Sequence, residues 1–555
     1  MWRGRGVGKR LLVAGRFVGA FKFELLHWHW HCQWQSFSAQ ALFCILRSKK
    51  KMKRVAALFA AATLCPCEGF SWDVIPSNAF PGFLSRPFAA SELAYFANFS
   101  SLDICAVNVT CADGAPAHCP LPNGYPCTCA APPSGGSAFA ANMEGATLDF
   151  ARAAVQLHPS QKIFPYVYFT ASETWFEAGA AFNRPENAGL WMVDAAGAPV
   201  LTPVIQGSEL HAYNFTNPAT RDFFVSTVIA PFLASDSVAG LFFDMVDTFA
   251  WGGWARQFGV APAEVARLQA GTLAAIEAVL AAMRAAGKLP VLSTHSSRSV
   301  YPDLNAAAGA LLQRYGGYQF YEFFCDRGAG AACADQVATV AQESAAGVGV
   351  QAHAPFKVPH AGAPNASNTT PPFYLHDFDF LAGAFLLGAG ENSYLQFGAT
   401  GCWTTHGCWP LAPALQRPLG APQGAAARVG GAAVALQPNV DAIDGAVPAP
   451  GANSSDGLIV YAGRAGGVEA CAAACLAWPA AQALLECQSF TFTGSGGGVW
   501  AGSCYLRLGF AYLSTQVPAA LTVTSGRRPS RFRRVFAHAA VEVDLITGEA
   551  DISWG

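Results

Sequence analysis

Carboxylates, imidazoles and indoles in this chain fall where apolar runs end. Gly240-Leu-Phe-Phe closes on Asp244, with Asp247 three residues on and Trp251 beyond. Tyr318-Gln-Phe-Tyr leads to Glu322, the run from Leu289 to Thr294 leads to His295, and the run from Val348 leads to His353. Ile163-Phe-Pro-Tyr-Val-Tyr-Phe is followed by Glu173 and Trp175, while Trp191 and Trp403 lie in other loops. Two carboxylates framed by aromatic rings suit cleavage of a glycosidic bond. One acid protonates the leaving oxygen, and a second carboxylate attacks the sugar or activates water. Asp244 is the expected nucleophile or base and Glu322 the expected general acid, with Asp247 competing for the role of Asp244. Glu173, Trp175, Trp191, Trp251, His295, His353 and Trp403 are expected substrate contacts. The same residue types also have structural uses, since an Asp ending a strand caps helices or pairs with Arg. A His/His/Asp metal centre is the weaker reading of the two histidines, so neither metal nor cofactor is expected.

These residues need elements that bring strand ends together. Strands are expected at Leu102–Val109, Ile163–Phe169, Ala239–Asp244, Leu289–Thr294, Tyr318–Phe324, Val348–His353 and near Ser393–Phe397. Helices are expected at 144–158, 219–234, 262–286, 331–346 and 377–388. In the third helix Val265, Leu268, Thr272, Ile276, Val279 and Met283 recur three or four apart on one face. Nearly continuous apolar strands alternating with helices mean parallel strands buried on both faces. About eight of them over this length fit an α/β fold of the (β/α)8 type, whose active site lies at the C-terminal strand ends. No G-x-G-x-x-G follows a strand, and there is no P-loop, G-x-S-x-G or H-E-x-x-H.

Composition narrows the function classes further. Only 13% of the 555 residues are charged and 52% are hydrophobic, which excludes an intrinsically disordered chain. The formal net charge of −2 conceals a split. Residues 1–54 carry 12 Lys+Arg and the single acid Glu24, so the remainder holds 22 basic against 35 acidic residues. Without a basic excess there, nucleic acid is a poor partner. Lys49-Lys-Lys-Met52-Lys-Arg54, the apolar run Val55 to Leu64 and Cys65-Pro-Cys-Glu-Gly form a secretory signal, too short to span a bilayer. Residues 1–51 are read as sequence upstream of a start at Met52, and 52–69 as the signal. The other reading is a true basic extension with Leu11 to Leu26 as anchor, although Arg16 and Lys22 interrupt that run. No stable membrane span is expected. Sequons at Asn98, Asn108, Asn214, Asn365, Asn368 and Asn453 agree with a secreted, glycosylated protein. So do thirteen Cys after Cys67, among them Cys325/Cys333, Cys402/Cys408 and Cys471/Cys475/Cys487/Cys504.

Several segments, taken in order, carry a resemblance. They are Trp72-Asp-Val-Ile-Pro, Trp191-Met-Val-Asp194, Asn217-Pro-Ala-Thr-Arg221-Asp222, Gly240-Leu-Phe-Phe-Asp244, Tyr321-Glu322, Gly388-Ala-Gly-Glu391, Pro418-Leu-Gly-Ala-Pro and the closing Val541–Trp554. Together they resemble glycoside hydrolase-like TIM-barrel proteins over about 72–435 and 530–555. The resemblance implies a carbohydrate-active fold with Asp244 as the best-placed catalytic residue. A second, local set looks like a PAN/apple module: Val468-Glu-Ala-Cys471-Ala-Ala-Ala-Cys475, Cys487-Gln-Ser-Phe-Thr-Phe and Trp500-Ala-Gly-Ser-Cys504. That likeness implies the pairs Cys475–Cys487 and Cys471–Cys504 and a protein or glycan ligand. The expected organisation is a barrel over 70–435, the module over 440–525 and a β-hairpin over 526–555 that completes a β-region. The expected function is hydrolysis of a glycan by a secreted enzyme. The alternative is a non-catalytic carbohydrate- or protein-binding protein on a degenerate barrel.

Overall fold

Eight parallel strands close into a barrel, each hydrogen-bonded to the next in chain order and the last to the first. In this computed structural model the described residues are 70–81, 88–104, 140–141, 143–202, 210–246, 250–251, 260, 262–294, 302–322, 324–325, 328–354, 378–397, 402–403, 407–408, 413–430, 434–438, 459–480, 483–494, 501–507 and 523–555. The expected signal and upstream segment, Asp247, His295, the Cys between 105 and 129, and sequons Asn108, Asn365, Asn368 and Asn453 lie outside them.

The wall begins with β1 (Ser77–Ala79), β2 (Ser101–Ile104) and β3 (Lys162–Tyr168). A small hairpin, β4 (Leu201–Thr202) and β5 (Leu210–His211), stands apart as its own sheet. The wall continues through β6 (Gly240–Asp244), β7 (Leu289–Ser293), β8 (Tyr318–Tyr321), β9 (Gly349–Ala354) and β10 (Ser393–Phe397). Its helices are α1 (Ala90–Phe96), α2 (Met143–Leu157), α3 (Glu177–Phe182), α4 (Pro218–Phe223), α5 (Ala230–Leu233), α6 (Pro262–Ala285), α7 (Pro302–Tyr315), α8 (Ala331–Ala345) and α9 (Phe378–Gly388). Phe224–Ile229, between α4 and α5, is π-helical. Asn217 begins α4 by accepting the Ala219 amide at 3.0 Å, ahead of a Pro that has no amide to lose. α6 is long and apolar enough to cross a membrane, but its Ile276, Val279, Leu280 and Met283 are buried in the layer outside the wall.

Side chains alternate across the wall. Phe164, Phe242, Val291, Tyr318, Phe320 and Tyr394 gather in one cluster, while Ile163, Val167, Leu241, Phe243 and Leu292 join the helix layer. Phe164 meets Tyr318 edge-on at 5.5 Å although β6 and β7 separate their strands, so the first cluster fills the lumen. At its floor Lys162 Nζ donates to Tyr318 Oη at 3.0 Å and Asn392 Oδ1 at 3.2 Å.

Two short strands, β11 (Cys402–Trp403) and β12 (Gly407–Cys408), place Cys402 opposite Cys408 on the backbone. β13 (Ala427–Arg428) and β14 (Ala435–Pro438) follow. A disulfide unit then forms around β15 (Ile459–Arg464), α10 (Val468–Leu476), β16 (Ser489–Thr493), β17 (Ser503–Arg507) and β18 (Val523–Arg527). Cys471–Cys504 and Cys475–Cys487 staple α10 to the sheet, the pairs that the second resemblance implied. β14 pairs with β18 in that sheet, so the sheet reaches back before residue 440. The chain closes with β19 (Arg531–Val535), β20 (Ala539–Asp544) and β21 (Ala550–Trp554), to which β13 adds a fourth strand. The last two strands form the expected hairpin.

Candidate active site

Asp244 is the last residue of β6, two beyond lumen-filling Phe242, so strand alternation aims it at the C-terminal mouth. It is half-buried, and Tyr166 Oη on neighbouring β3 donates to its Oδ2 at 2.9 Å. Met245 follows at φ 58°, a left-handed turn that is uncommon for a residue with a Cβ. Thr170 Oγ1 donates to the Met245 carbonyl at 2.5 Å, and the Val246 amide donates to Ser293 O at 3.2 Å. The turn is thereby tied to both flanking strands.

Glu322 immediately follows β8, two residues beyond Phe320, and is also half-buried. The loop it opens is fixed at several points. The Phe324 amide donates to His353 O at 2.8 Å, and the Cys325 amide donates to Gln336 Oε1 at 2.6 Å. Cys325, at φ 51°, is bonded to Cys333 on α8. His353 alternates with Ala352 and Ala354, which face the helix layer, and its ring lies near-parallel to Phe320 with centroids 6.0 Å apart. Asp244, Glu322 and His353 thus occupy lumen-facing positions at one end of the barrel, on β6, beyond β8 and on β9.

The remaining expected contacts are placed differently. Glu173 is only 6% exposed and lines a cavity of about 10 Å³, the size of one water, with Phe176, Tyr213, Val228 and Phe232. Burial pushes its carboxyl well above the usual carboxylate range, and the charges of Asp244 and Glu144 push the same way. Glu144 caps α3 by accepting the Glu177 and Ala178 amides at 2.7 and 2.9 Å. Trp175 is 3% exposed within the helix layer. Trp191 stacks on His211 at 3.8 Å and donates its indole N–H to Phe182 O at 2.8 Å. Trp251 is half-buried against two apolar clusters. Asp247 and His295 lie outside the described residues, as do the side chains of Trp403, Cys402 and Cys408. Among the described residues no group of three or more His, Cys, Asp and Glu is disposed to hold a metal ion. Two sequons are described. Asn98 is exposed and donates to Ala94 O and Tyr95 O, whereas Asn214 is half-buried and accepts from Thr216 Oγ1 at 2.5 Å.

Tyr166 and Thr170 are the site residues that the sequence reading missed. The period-two pattern of IFPYVYF held the signal for Tyr166, since the face that buries Phe164 must also carry it.

No protein-family model and no curated protein matches the chain. Among solved structures it is similar to the isomaltulose synthase of Protaminobacter rubrum, at 12% identity over 59% of this chain and 64% of that one, TM-score 0.35. It is also similar to a trehalulose synthase mutant in complex with Tris, at 14% identity over 59% of this chain and 64% of that one, TM-score 0.34. A GH31 dextranase of Flavobacterium johnsoniae complexed with glucose gives 11% identity over 59% and 37%, TM-score 0.33. The chain spans less than two-thirds of the length of each of these three.

Proposed function

We propose that this protein is a secreted glycoside hydrolase in which Asp244 acts as nucleophile or base and Glu322 as general acid. The observation that carries the reading is the common placement of the two carboxylates on the lumen series at the mouth of a parallel barrel. Tyr166 and His353 add polar groups, and Phe320 an apolar wall, as a sugar site requires. The disulfides at Cys325–Cys333, Cys471–Cys504 and Cys475–Cys487 belong to an oxidising compartment, which supports secretion. In this reading the disulfide unit is an apple-type module that tethers the barrel to a glycan or protein.

Residues 70–555, incubated with a panel of neutral polysaccharides and aryl glycosides, are expected to release reducing ends. Asp244→Asn and Glu322→Gln should each lower kcat by a factor of at least about 10². Asp247→Asn decides between the two acids of that turn. Full activity in both Asp244→Asn and Glu322→Gln would overturn the assignment. Tight glycan binding with no turnover on any substrate would favour a binding protein on a barrel that has lost its chemistry.

A further inference from the structure

β3 and the residues just after it hold Asp244 and its following turn at two points. β3 and β6 run in register, with Tyr166 opposite Phe242 and Tyr168 opposite Asp244. Tyr166 lies almost flat over Phe242, with centroids 5.9 Å apart and 21° between planes, which fixes the direction of its hydroxyl. That hydroxyl ends 2.9 Å from Asp244 Oδ2. Four residues on, Thr170 holds the carbonyl of left-handed Met245. Side chain and following turn are thus secured from the same neighbour.

The charges around Asp244 make the hydroxyl matter. From β3 come Tyr166 and Tyr168, and from the loop after it Glu173. β7, Leu289–Ser293, offers no titratable side chain, and Asp247 and His295 lie outside the described residues. Glu322 and His353 belong to the same lumen series from β8 and β9. Lys162, the cation of β3, sits at the opposite end of the strand on Tyr318 and Asn392. Burial raises the Glu173 carboxyl well above the usual carboxylate range, and the nearby Asp244 carboxylate pushes it the same way. A phenol donating to a carboxylate stabilises the ionised form, which both a nucleophile and a general base need.

We infer that Tyr166 is a positioning residue that aims Asp244 into the lumen and favours its carboxylate form, an inference that rests on reading Asp244 as nucleophile or base. It predicts a change that a packing role alone would not cause. Phenylalanine at 166 keeps the ring stacked on Phe242 and removes only the donor.

The test is carbodiimide labelling of Asp244 across pH in residues 70–555, quantified by peptide mass spectrometry and normalised to exposed Glu186. Tyr166→Phe is expected to move the Asp244 midpoint up by about one to two pH units, while Tyr168→Phe leaves it in place. Site-specific 3-fluorotyrosine at 166 is nearly isosteric and a stronger donor, and it should move the midpoint down. If the Phe variant does not fold, that substitution decides. Midpoints unmoved by either change at 166 overturn the inference. On any glycan that is turned over, the acid limb of the pH–rate profile should follow the labelling midpoint, with KM kept. A shifted midpoint without turnover on any glycan would uphold the role of Tyr166 and sink the hydrolase reading. Turnover with an unshifted midpoint would sink Tyr166 alone.

Discussion

Arg507 on β17 reaches Asp335 on α8 across 3.6 Å, with only 11% and 19% of the two side chains exposed. The disulfide unit therefore meets the helix whose first turns carry Cys333 and Gln336, the two anchors of the Glu322 loop. Leu484 of the unit is buried in the same apolar cluster as Val337, Val340 and Ala341 of α8. On its other side Glu486 pairs with Arg428 at 3.5 Å and Arg528 at 2.8 Å, while Arg428 lies over the Phe532 ring at 4.7 Å. The unit is braced between barrel and terminal sheet.

The Arg507–Asp335 pair should behave as a partly buried ion pair. A double-mutant cycle with Arg507→Met and Asp335→Leu, read by urea unfolding, is expected to give a coupling of about 1–2 kcal/mol. A coupling indistinguishable from zero would mean that the contact is incidental and that Leu484 alone carries the docking.

Thr170→Val keeps the shape of the side chain and removes its hydrogen bond to Met245 O. The turn after Asp244 then loses one of its ties while the substrate surface stays intact. The expected result is a fall in kcat of about tenfold with KM little changed. A rise in KM alone would place Thr170 in substrate binding instead.

Asp103 on β2 is fully buried in the lumen, where it accepts from Asn78 Nδ2 at 2.5 Å. Burial raises its carboxyl to about 8, the Asn78 bond offsetting only part of that. The native state therefore keeps a proton that the unfolded chain loses near pH 4, and stability must fall with rising pH between those values. The steepest slope from this group is about 1.4 kcal/mol per pH unit. Asp103→Asn, neutral in both states, should flatten the decline in melting temperature from pH 5 to pH 8. An identical decline in the variant would show that Asp103 is ionised in the folded protein.

Gly240 opens β6 where a methyl group would overlap the carbonyl of Leu289 on β7. Gly240→Ala is expected to prevent wall closure and give little folded protein by circular dichroism and gel filtration. Gly287, at φ 69° with open space around it, should accept Asn at a cost of about 1 kcal/mol or less. Normal folding of Gly240→Ala would contradict the β6–β7 register.

The Cys475–Cys487 bond spans 12 residues in a unit with a small apolar core. Replacing both by Ser should cost about 3 kcal/mol, seen as early protease cleavage within 459–507 while the barrel resists. Unchanged protection would show that docking on α8 alone keeps the unit folded.

The sequence made the longer wall strands legible because Ile163–Phe169 and Ala239–Phe243 are apolar on both faces, as a wall between lumen and helices demands, and Val348–His353 is apolar at least on its helix-facing side. It did not reveal β1, whose Ser77-Asn-Ala is short and polar and is a strand only because β2 and β10 flank it. α7 was missed because small residues do not mark a face. Asn305 to Ala310 offers only Ala and Gly besides Asn, and the burial of Leu304, Ala308, Leu311 and Leu312 is set by the barrel. Asp244, Glu322 and His353 were readable from where apolar runs stop. The burial of Glu173 and Trp175 was not, because a loop that folds back under α3 leaves no periodic trace. Tyr166 was hidden in plain view, a polar tip within a run read as uniformly apolar.

The wall closes through β1 against β10, with Ser77 opposite Leu395 and Asn78 opposite Gln396. The outer side of α9 is covered by Val541 and Val543 of β20, near Gly383, whose lack of a side chain lets Val543 approach. A chain emerging from a ribosome or a translocation pore therefore holds an unclosed wall until β10 has passed, and an uncovered α9 until nearly its final residues. Premature stops close to the C-terminus would yield polypeptides with every candidate catalytic side chain present and an apolar helix open to water. Such products would be lost to aggregation or proteolysis, and the loss would be measured as missing folded protein and not as reduced turnover.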